Sequence, residues 1–408
     1  MTEKKFKETE IGLIPEDWHL IPLGKLITFK RGHDLPIKER KKGKYPIIAS
    51  NGIVGYHNEF KAKGPGVIIG RSGNLGKPFY IEDDYWPLNT TLYSINFHDS
   101  DPKFVYYFLK TIPLNEFNSG SAVPSLNRNH IHTLEIIVPK KPTEQQKIAS
   151  ILSALDNKIK LNSQINKNLE EQGKNIFNEW FFKFKFPNEN GQPYKSNGGE
   201  MVDSEMGEIP TGWEVKKLKD LGRIVCGKTP PKSKQEYFDG ELPFIKIPDM
   251  HGQTFVVDTE DSLTDEGRYF QENKTLPPNS VCVSCIATVG LVCINPKNAQ
   301  TNQQINSIVP NNDNLTPYLY FKMSSMKDFI EILASGGSAT LNLNTNNFSN
   351  IEIVIPNVYL LQKYHEIVQP LFYKILNNLL ENQHLSQIRD SLLPKLMSGE
   401  IDVSEVKI

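Results

Sequence analysis

Two stretches of this chain repeat apolar residues in a regular four-three alternation. The first runs through Ile148, Leu152, Leu155, Ile159, Asn162, Asn166, Leu169, Gly173, Ile176 and Trp180. The second, displaced by 216 residues, runs through Tyr364, Val368, Leu371, Ile375, Asn378, Asn382, Leu385, Arg389, Leu392 and Leu396. The spacing predicts two long helices with a coiled-coil seam. Spacing alone equally fits amphipathic helices buried on their own domains. Thr143 is placed to cap the first helix, with Gln146 at the capping-box position, and the pattern fades near Phe184. The second spans about Val358 to Met397, ends at Ser398-Gly399, and carries Pro370 and Pro394. Pro370 removes a backbone donor, so a kink is expected there.

The polar seam positions are informative. Asn162 and Asn166 flank the midpoint of the first series, and Asn378 and Asn382 that of the second. Parallel pairing would also match Asn with Asn. An up-running and a down-running helix, each leading from its own β-rich domain, suit antiparallel packing, which brings Asn162 to Asn382 and Asn166 to Asn378, so each amide finds a partner. A slipped register would bury an amide against Leu or Ile at about 1–3 kcal/mol. These four are the candidate register residues.

Outside the helices the pattern is short β-like runs punctuated by Gly and Pro, such as Tyr45-Pro-Ile-Ile-Ala, Gly66-Val-Ile-Ile-Gly and Leu134-Glu-Ile-Ile-Val, with a helical segment near 103–111. The order recurs downstream. Gly12, Ile14, Pro15, Trp18, Leu23 and Leu26 return as Gly207, Ile209, Pro210, Trp213, Leu218 and Leu221. Residues 120–139 return as 337–356 with nine of twenty positions identical, so the chain is a duplication. The reading is α+β: two similar, mostly β domains in pseudo-two-fold arrangement, separated by two long antiparallel coiled-coil helices. The boundaries are 1–142 for the first domain, 143–184 for its helix, 185–204 for a polar linker, 205–356 for the second domain, 357–398 for its helix, and 399–408 for a tail. Trp18 and Trp213 recur and are expected in the cores.

Composition narrows the class. Apolar residues at 38% and charged residues at 23% describe an ordinary globular chain, and no apolar run reaches the roughly 20 residues of a membrane helix. Four Cys, all in the second half, suggest no disulfide framework and suit the cytoplasm. Net charge is −1, which argues against a protein that grips nucleic acid by bulk charge. The charge is uneven, however. Residues 25–44 hold eight basic side chains (Lys25, Lys30, Arg31, Lys38, Arg40, Lys41, Lys42 and Lys44) against Asp34 and Glu39. That run is either a solvated loop or a patch facing phosphates.

Three motifs suggest other chemistries. Gly222-Arg-Ile-Val-Cys-Gly227-Lys228-Thr229 matches the phosphate-loop pattern, but Pro230-Pro231 opposes the helix such a loop needs. Cys282-Val-Ser-Cys285 lies in an alternating run, where residues three apart face opposite ways, so zinc is disfavoured. Asp249 with Glu272 and Lys274 loosely copies a nuclease signature without convergent carboxylates. No methyltransferase motif and no hydrolase triad stands out.

The ordered double set of motifs resembles the specificity subunit of type I restriction–modification systems over nearly the whole chain. The carriers are Gly12–Trp18 and Gly207–Trp213, Gly227-Lys-Thr-Pro followed by Tyr237-Phe-Asp-Gly-Glu-Leu-Pro-Phe-Ile, the paired Gly-Ser-Ala…Leu-Asn-x-Asn stretches, the Pro-x-x-x-x-Gln-Lys helix starts at 141–147 and 357–363, and Leu393-Pro-Lys-Leu-Met-Ser-Gly-Glu-Ile. The resemblance implies two target recognition domains, each reading one half of a bipartite asymmetric target in double-stranded DNA. It implies helices that set the gap and dock two methyltransferase (modification) subunits, with restriction subunits in the full complex. It implies no catalysis in this chain: S-adenosylmethionine serves the modification subunits, and ATP and Mg²⁺ the restriction subunits. Other classes that would produce a duplicated chain are a protein-tethering scaffold and, from the motif at 222–229, a nucleotide-binding protein.

Base readers are polar side chains in turns beside strands. The candidates are Lys30, Arg31, His33, Asn51, Arg71, Asn74 and Arg128 in the first domain, and Lys228, Thr229, Lys232, Lys246, Asp249, Gln303 and Gln304 in the second. Each type is equally at home on a solvated loop. Asn89 with Asn302, and Asn127 with Asn344, recur at matching places, which favours shared turns over base reading, since the halves should read different sequences.

Overall fold

The computed structural model describes residues 6–9, 12–117, 125–336 and 341–407. The Gly-Ser-Ala stretches at 120–122 and 337–339, and most of the charged N-terminal arm, lie outside the described residues. The chain forms two compact units. One comprises residues 1–159 with 384–408, the other residues 160–383. Each unit thus owns one end of both long helices, Pro142–Phe181 and Val358–Met397.

The first unit is built on a four-stranded antiparallel sheet in the order Thr28–Arg31, Thr91–Asn96, Gly66–Gly70, Pro78–Ile81. Every residue of Gly66–Gly70 is buried. A strand covered on both faces has no solvent side to alternate toward, which is why Val67, Ile68 and Ile69 are all apolar. A second sheet orders Gly52–His57, Tyr45–Ala49 and Trp86–Pro87. Trp18–Pro22 pairs with Glu135–Pro139, and Glu135–Pro139 leads the chain into the first long helix. Pro102–Leu109 starts where Pro fits the first turn and the Asp101 carboxylate accepts from Phe104 N at 2.8 Å.

The second unit repeats this strand for strand. Its four-stranded order is Gly222–Cys226, Ile305–Pro310, Ser280–Ser284, Val292–Asn295, and its three-stranded order is Asp261–Leu263, Phe238–Ile245, Gln300–Thr301. Glu214–Lys217 pairs with Glu352–Ile355 before the second long helix. In each unit the middle strand of the smaller sheet pairs in parallel with a two-residue strand: Ile47 and Ile48 against Trp86 and Pro87, Phe244 and Ile245 against Gln300 and Thr301.

Both tryptophans at the repeat starts are buried. Trp18 is sealed, and its Nε1 donates to Glu144 Oε1 at 3.0 Å. Trp213 packs among Phe181, Phe184 and Phe186, with ring centroids 5.4–5.8 Å away.

The long helices pack antiparallel within each unit. In the second, Asn162 Nδ2 donates to Asn382 Oδ1 at 2.9 Å and to Glu381 Oε2 at 2.8 Å, while Asn378 Nδ2 donates to Asn166 Oδ1 at 2.7 Å. Asn166 Nδ2 reaches Ile375 O at 3.3 Å. In the first, Arg389 Nη1 donates to Asp156 Oδ1 at 2.7 Å, and Tyr107 Oη to Asp156 Oδ2 at 2.6 Å.

The irregular seam positions have local causes. A Cβ on Gly173 would lie 2.8 Å from the Phe321 ring, so the helix cedes that place to an aromatic of its own unit. Phe177 and Phe372, outside the four-three series, are 1% and 2% exposed, deeper than their neighbours Ile176 and Leu371. Near the domains, then, each helix buries a stripe wider than a pure coiled-coil seam. The first helix ends at Phe181, short of the expected Phe184, and Phe184 has a left-handed φ of 53°. The second is continuous through Pro370 and Pro394.

Two stability outcomes follow. Asn378→Leu strips Asn166 Oδ1 of its donor at a buried seam and should cost about 1–3 kcal/mol in denaturant unfolding. Asp156→Ala deprives both Tyr107 Oη and Arg389 of their acceptor and should cost about the same in the same assay. A change below about 0.5 kcal/mol would contradict either assignment.

Candidate nucleic-acid interface

At one edge of each four-stranded sheet the chain leaves its first strand through a glycine that cannot be replaced. A Cβ on Gly32 would sit 2.1 Å from Leu88 O, and one on Gly227 would sit 2.2 Å from Asn302 O. Both obstacles are backbone and cannot rotate away. From this close approach the same hydrogen bonds spread in both units. Gly32 N donates to Thr91 O and Gly227 N to Ile305 O, each at 3.0 Å. His33 N reaches Pro87 O at 2.8 Å, and Lys228 N reaches Thr301 O at 2.9 Å. Arg71 N reaches Thr90 O at 2.8 Å, and Cys285 N reaches Gln304 O at 2.7 Å. Leu126 N reaches Arg71 O at 2.9 Å, and Leu343 N reaches Cys285 O at 2.8 Å. These bonds form a common frame that places 31–34, 71–74, 88–90 and 125–128 together in the first unit. In the second they place 226–229, 285–288, 302–304 and 342–345 together.

The first-unit frame brings together Arg31, His33, Arg71, Asn74 and Arg128. Arg71 Nε donates to Asn89 O at 3.1 Å. Burial, then the neighbouring charge of Arg31, pulls the Arg71 guanidinium below its usual range. The two like charges oppose each other, and an anion beside them would relieve that repulsion. His33 Nε2 lies 3.2 Å from Tyr93 Oη. Partial burial, then Lys30 and Lys61, lower its pKa, so the ring is neutral at pH 7. Lys30 is exposed on the same strand as Arg31. Asn51 is exposed in the turn after Tyr45–Ala49, and its neighbour Ser50 lies against the 70–73 loop. Among the described residues none of the eight basic side chains of 25–44 forms an ion pair. Arg40 Nε is buried without a partner.

The second-unit frame brings together Lys228, Thr229, Gln303 and Gln304. Thr229 Oγ1 donates to Gln303 Oε1 at 2.6 Å, and Gln304 Oε1 accepts from Asn302 Nδ2 at 3.0 Å. Lys228 Nζ stands 5.0 Å over the Phe270 ring, and its carbonyl accepts from Gln271 Nε2 at 2.7 Å. Lys232 is exposed in the following turn. Lys246 and Asp249 are engaged internally. Lys246 Nζ contacts Glu260 at 3.0 Å and Asp261 at 2.9 Å. Burial opposes its charge, but these two carboxylates raise its pKa overall. Asp249 accepts from the backbone of Lys246 at 2.7 Å and of Glu260 at 3.1 Å.

The repeated asparagines divide. Asn127 and Asn344 both cap short helices, accepting from Asn129 N at 3.0 Å and Asn347 N at 2.8 Å. Asn89 and Asn302 are not equivalent. The frame aligns Leu88 with Asn302, since Thr91 N donates to Leu88 O where Ile305 N donates to Asn302 O. Asn89 therefore corresponds to Gln303. Sequence reasoning also missed Asp34, which accepts from Asn89 Nδ2.

The alternative chemistries fail locally. No helix starts at Lys228: residues 227–231 are irregular, so no phosphate cradle forms. Cys282 and Cys285 enter different cores, and burial lifts the Cys285 thiol to about 11. Among the described residues no group of three or more His, Cys, Asp or Glu could hold a metal. Asp249 spends both oxygens on backbone amides, which removes the nuclease reading.

The domain family described as "Type I restriction modification DNA specificity domain" matches residues 15–171 and 210–389. The HindI specificity subunit of Haemophilus influenzae is 39% identical over 356 residues, covering 74% of this chain and 77% of that protein. The MjaIX specificity subunit of Methanocaldococcus jannaschii is 28% identical over 440 positions, covering 99% and 98%. A type I restriction–modification S subunit from M. genitalium shares the fold, with a TM-score of 0.61 at 18% identity over 96% of this chain and 98% of that one. Twin sheet frames, antiparallel long helices and two matches to one domain agree: the chain belongs to the type I restriction–modification DNA specificity family and carries its DNA sequence-specificity function.

Proposed function

We propose that this chain is the non-catalytic reader of a bipartite DNA target, each unit's frame presenting side chains to one half-site. The observation that carries the reading is the frame itself: the same backbone bonds in both units, lined by different side chains. A structure that must do one job on two sequences keeps its geometry and varies its polar groups. The cations of 25–44, Arg31 among them, together with Arg71 supply a phosphate grip on the first half-site.

The partners of this reading are two modification subunits, with restriction subunits in the full complex. S-adenosylmethionine belongs to the former, ATP and Mg²⁺ to the latter, and none to this chain. No helix among the described residues is long and apolar enough to cross a membrane, and the reading places the protein in the cytoplasm with its DNA. The two helices, paired in register, enter the spacing between half-sites.

Two outcomes test this. The complex with its modification subunit should bind duplex DNA with steep salt dependence, and R31A/R71A should reduce the slope of log affinity against log salt by about 2. A tethering protein would show no such slope. Deleting the facing heptads 153–159 and 385–391 together shortens the helix pair by about 10 Å. The preferred gap in a binding-site selection should fall by about three base pairs with both half-sites intact. An unchanged gap would remove the spacer role.

A further inference from the structure

The two frames can be compared position by position, because shared backbone bonds fix which residues correspond. Gly32 matches Gly227, Leu126 matches Leu343, and Asn127 matches Asn344. These residues hold the backbone, and they do not differ. His33 matches Lys228, Asp34 matches Thr229, Asn89 matches Gln303, and Arg71 matches Cys285. These differ in charge, in hydrogen-bonding character or in both.

Within the varying set, one relation is kept while both partners change. Asn89 Nδ2 donates to Asp34 Oδ1 in the first unit. Thr229 Oγ1 donates to Gln303 Oε1 at 2.6 Å in the second. Both bonds are solvent-exposed, so neither is needed to satisfy a buried group. What each does is hold a second polar atom in a fixed direction at the rim. In the first unit that atom is Asp34 Oδ2, an acceptor. In the second it is Gln303 Nε2, a donor. Neither has a partner among the described residues.

Resting on the DNA-reading function above, we propose that Asp34–Asn89 and Thr229–Gln303 are the specificity-determining side-chain pairs of the two units. The first takes the exocyclic amine of a cytosine or adenine in the major groove, and the second takes a purine N7 or O6. A carboxylate accepts from a base amine and cannot accept from O6. An amide N–H₂ donates to N7 or O6 and is repelled by a base amine. The side-chain bond pre-orients each reader, so less rotamer freedom is lost on binding.

The test uses the full chain in complex with its modification subunits, selecting from a library of randomised 30-bp duplexes. The D34T/N89Q variant transplants the second pair into the first frame, and T229D/Q303N does the reverse. Each should change the preferred base at one position of one half-site, leaving the other half-site and the gap as in the wild type. Asp34→Asn keeps size and removes the carboxylate. It should lower discrimination at that base pair at least about 10-fold, with thermal melting unchanged. An unchanged motif from all three variants overturns the proposal. So does an equal loss of affinity for every sequence, which would assign the pairs to phosphate. A lowered melting temperature for Asp34→Asn overturns it as well, since the pair would then be part of the frame. Failure of the DNA-reading function itself looks different: the wild-type complex would select no motif.

Discussion

Four asparagine side chains decide which turn of one long helix lies beside which turn of the other. In a seam that is mostly apolar, only one antiparallel register gives Asn162 the Asn382 carbonyl and Asn166 the Asn378 amide. Leucine pairs would be almost indifferent to a slip of one heptad, but an amide at a position 1% exposed is not. The register has a consequence for the units themselves. Residues 384–408 complete the unit that begins at the N-terminus, where Leu396, Met397 and Val403 are buried with Trp18, Ile148 and Leu152. The first repeat is not self-sufficient in sequence, because it closes its core with helix residues from the far end of the chain, whereas the second uses the helix residues that immediately precede and follow it.

The same economy governs the rim. Its geometry is carried by main-chain atoms and one glycine per unit, and main-chain bonds are blind to side-chain identity. A frame of this kind can be duplicated and then altered at its varying positions without destabilising the sheet beneath. The cysteines show how far the divergence has gone. Arg71, the partly buried cation of the first unit, corresponds to Cys285, whose thiol is buried in the second unit's main core. A position that touches the rim in one copy has been absorbed into packing in the other.

Much of this was legible in the sequence, for physical reasons. The helices were readable because a seam demands a strict period, and the asparagines because a buried amide needs a partner. The strands at Ser280–Ser284 and Glu352–Ile355 announced themselves as apolar β-branched runs. The rim was less legible. Matching asparagine to asparagine equates Asn89 with Asn302, and only the bonds at Leu88 O and Asn302 O reveal that Asn89 stands where Gln303 does. Asp34 was counted merely as a charge against a basic run, since its role depends on a loop 55 residues away. Lys246 and Asp249 drew notice as polar residues after a strand. Nothing in their neighbourhood told that Glu260 and Asp261 would fold back to occupy the lysine. Local chemistry is written in the sequence, whereas the occupancy of a side chain is decided by residues that arrive from elsewhere.

Net charge also acquires a meaning that its total conceals. The chain sums to −1, yet the first unit's rim carries Lys30, Arg31 and Arg71 where the second carries Val225, Cys226 and Cys285. On the proposed reading, phosphate attraction would fall more on the first half-site than on the second. Since counterion release scales with the number of phosphates neutralised, the first unit would then supply the larger share of salt-sensitive affinity. A near-neutral total is thus compatible with membership of a DNA-reading family, because the positive charge is local to one rim and the rest of the surface exerts no uniform pull toward any duplex.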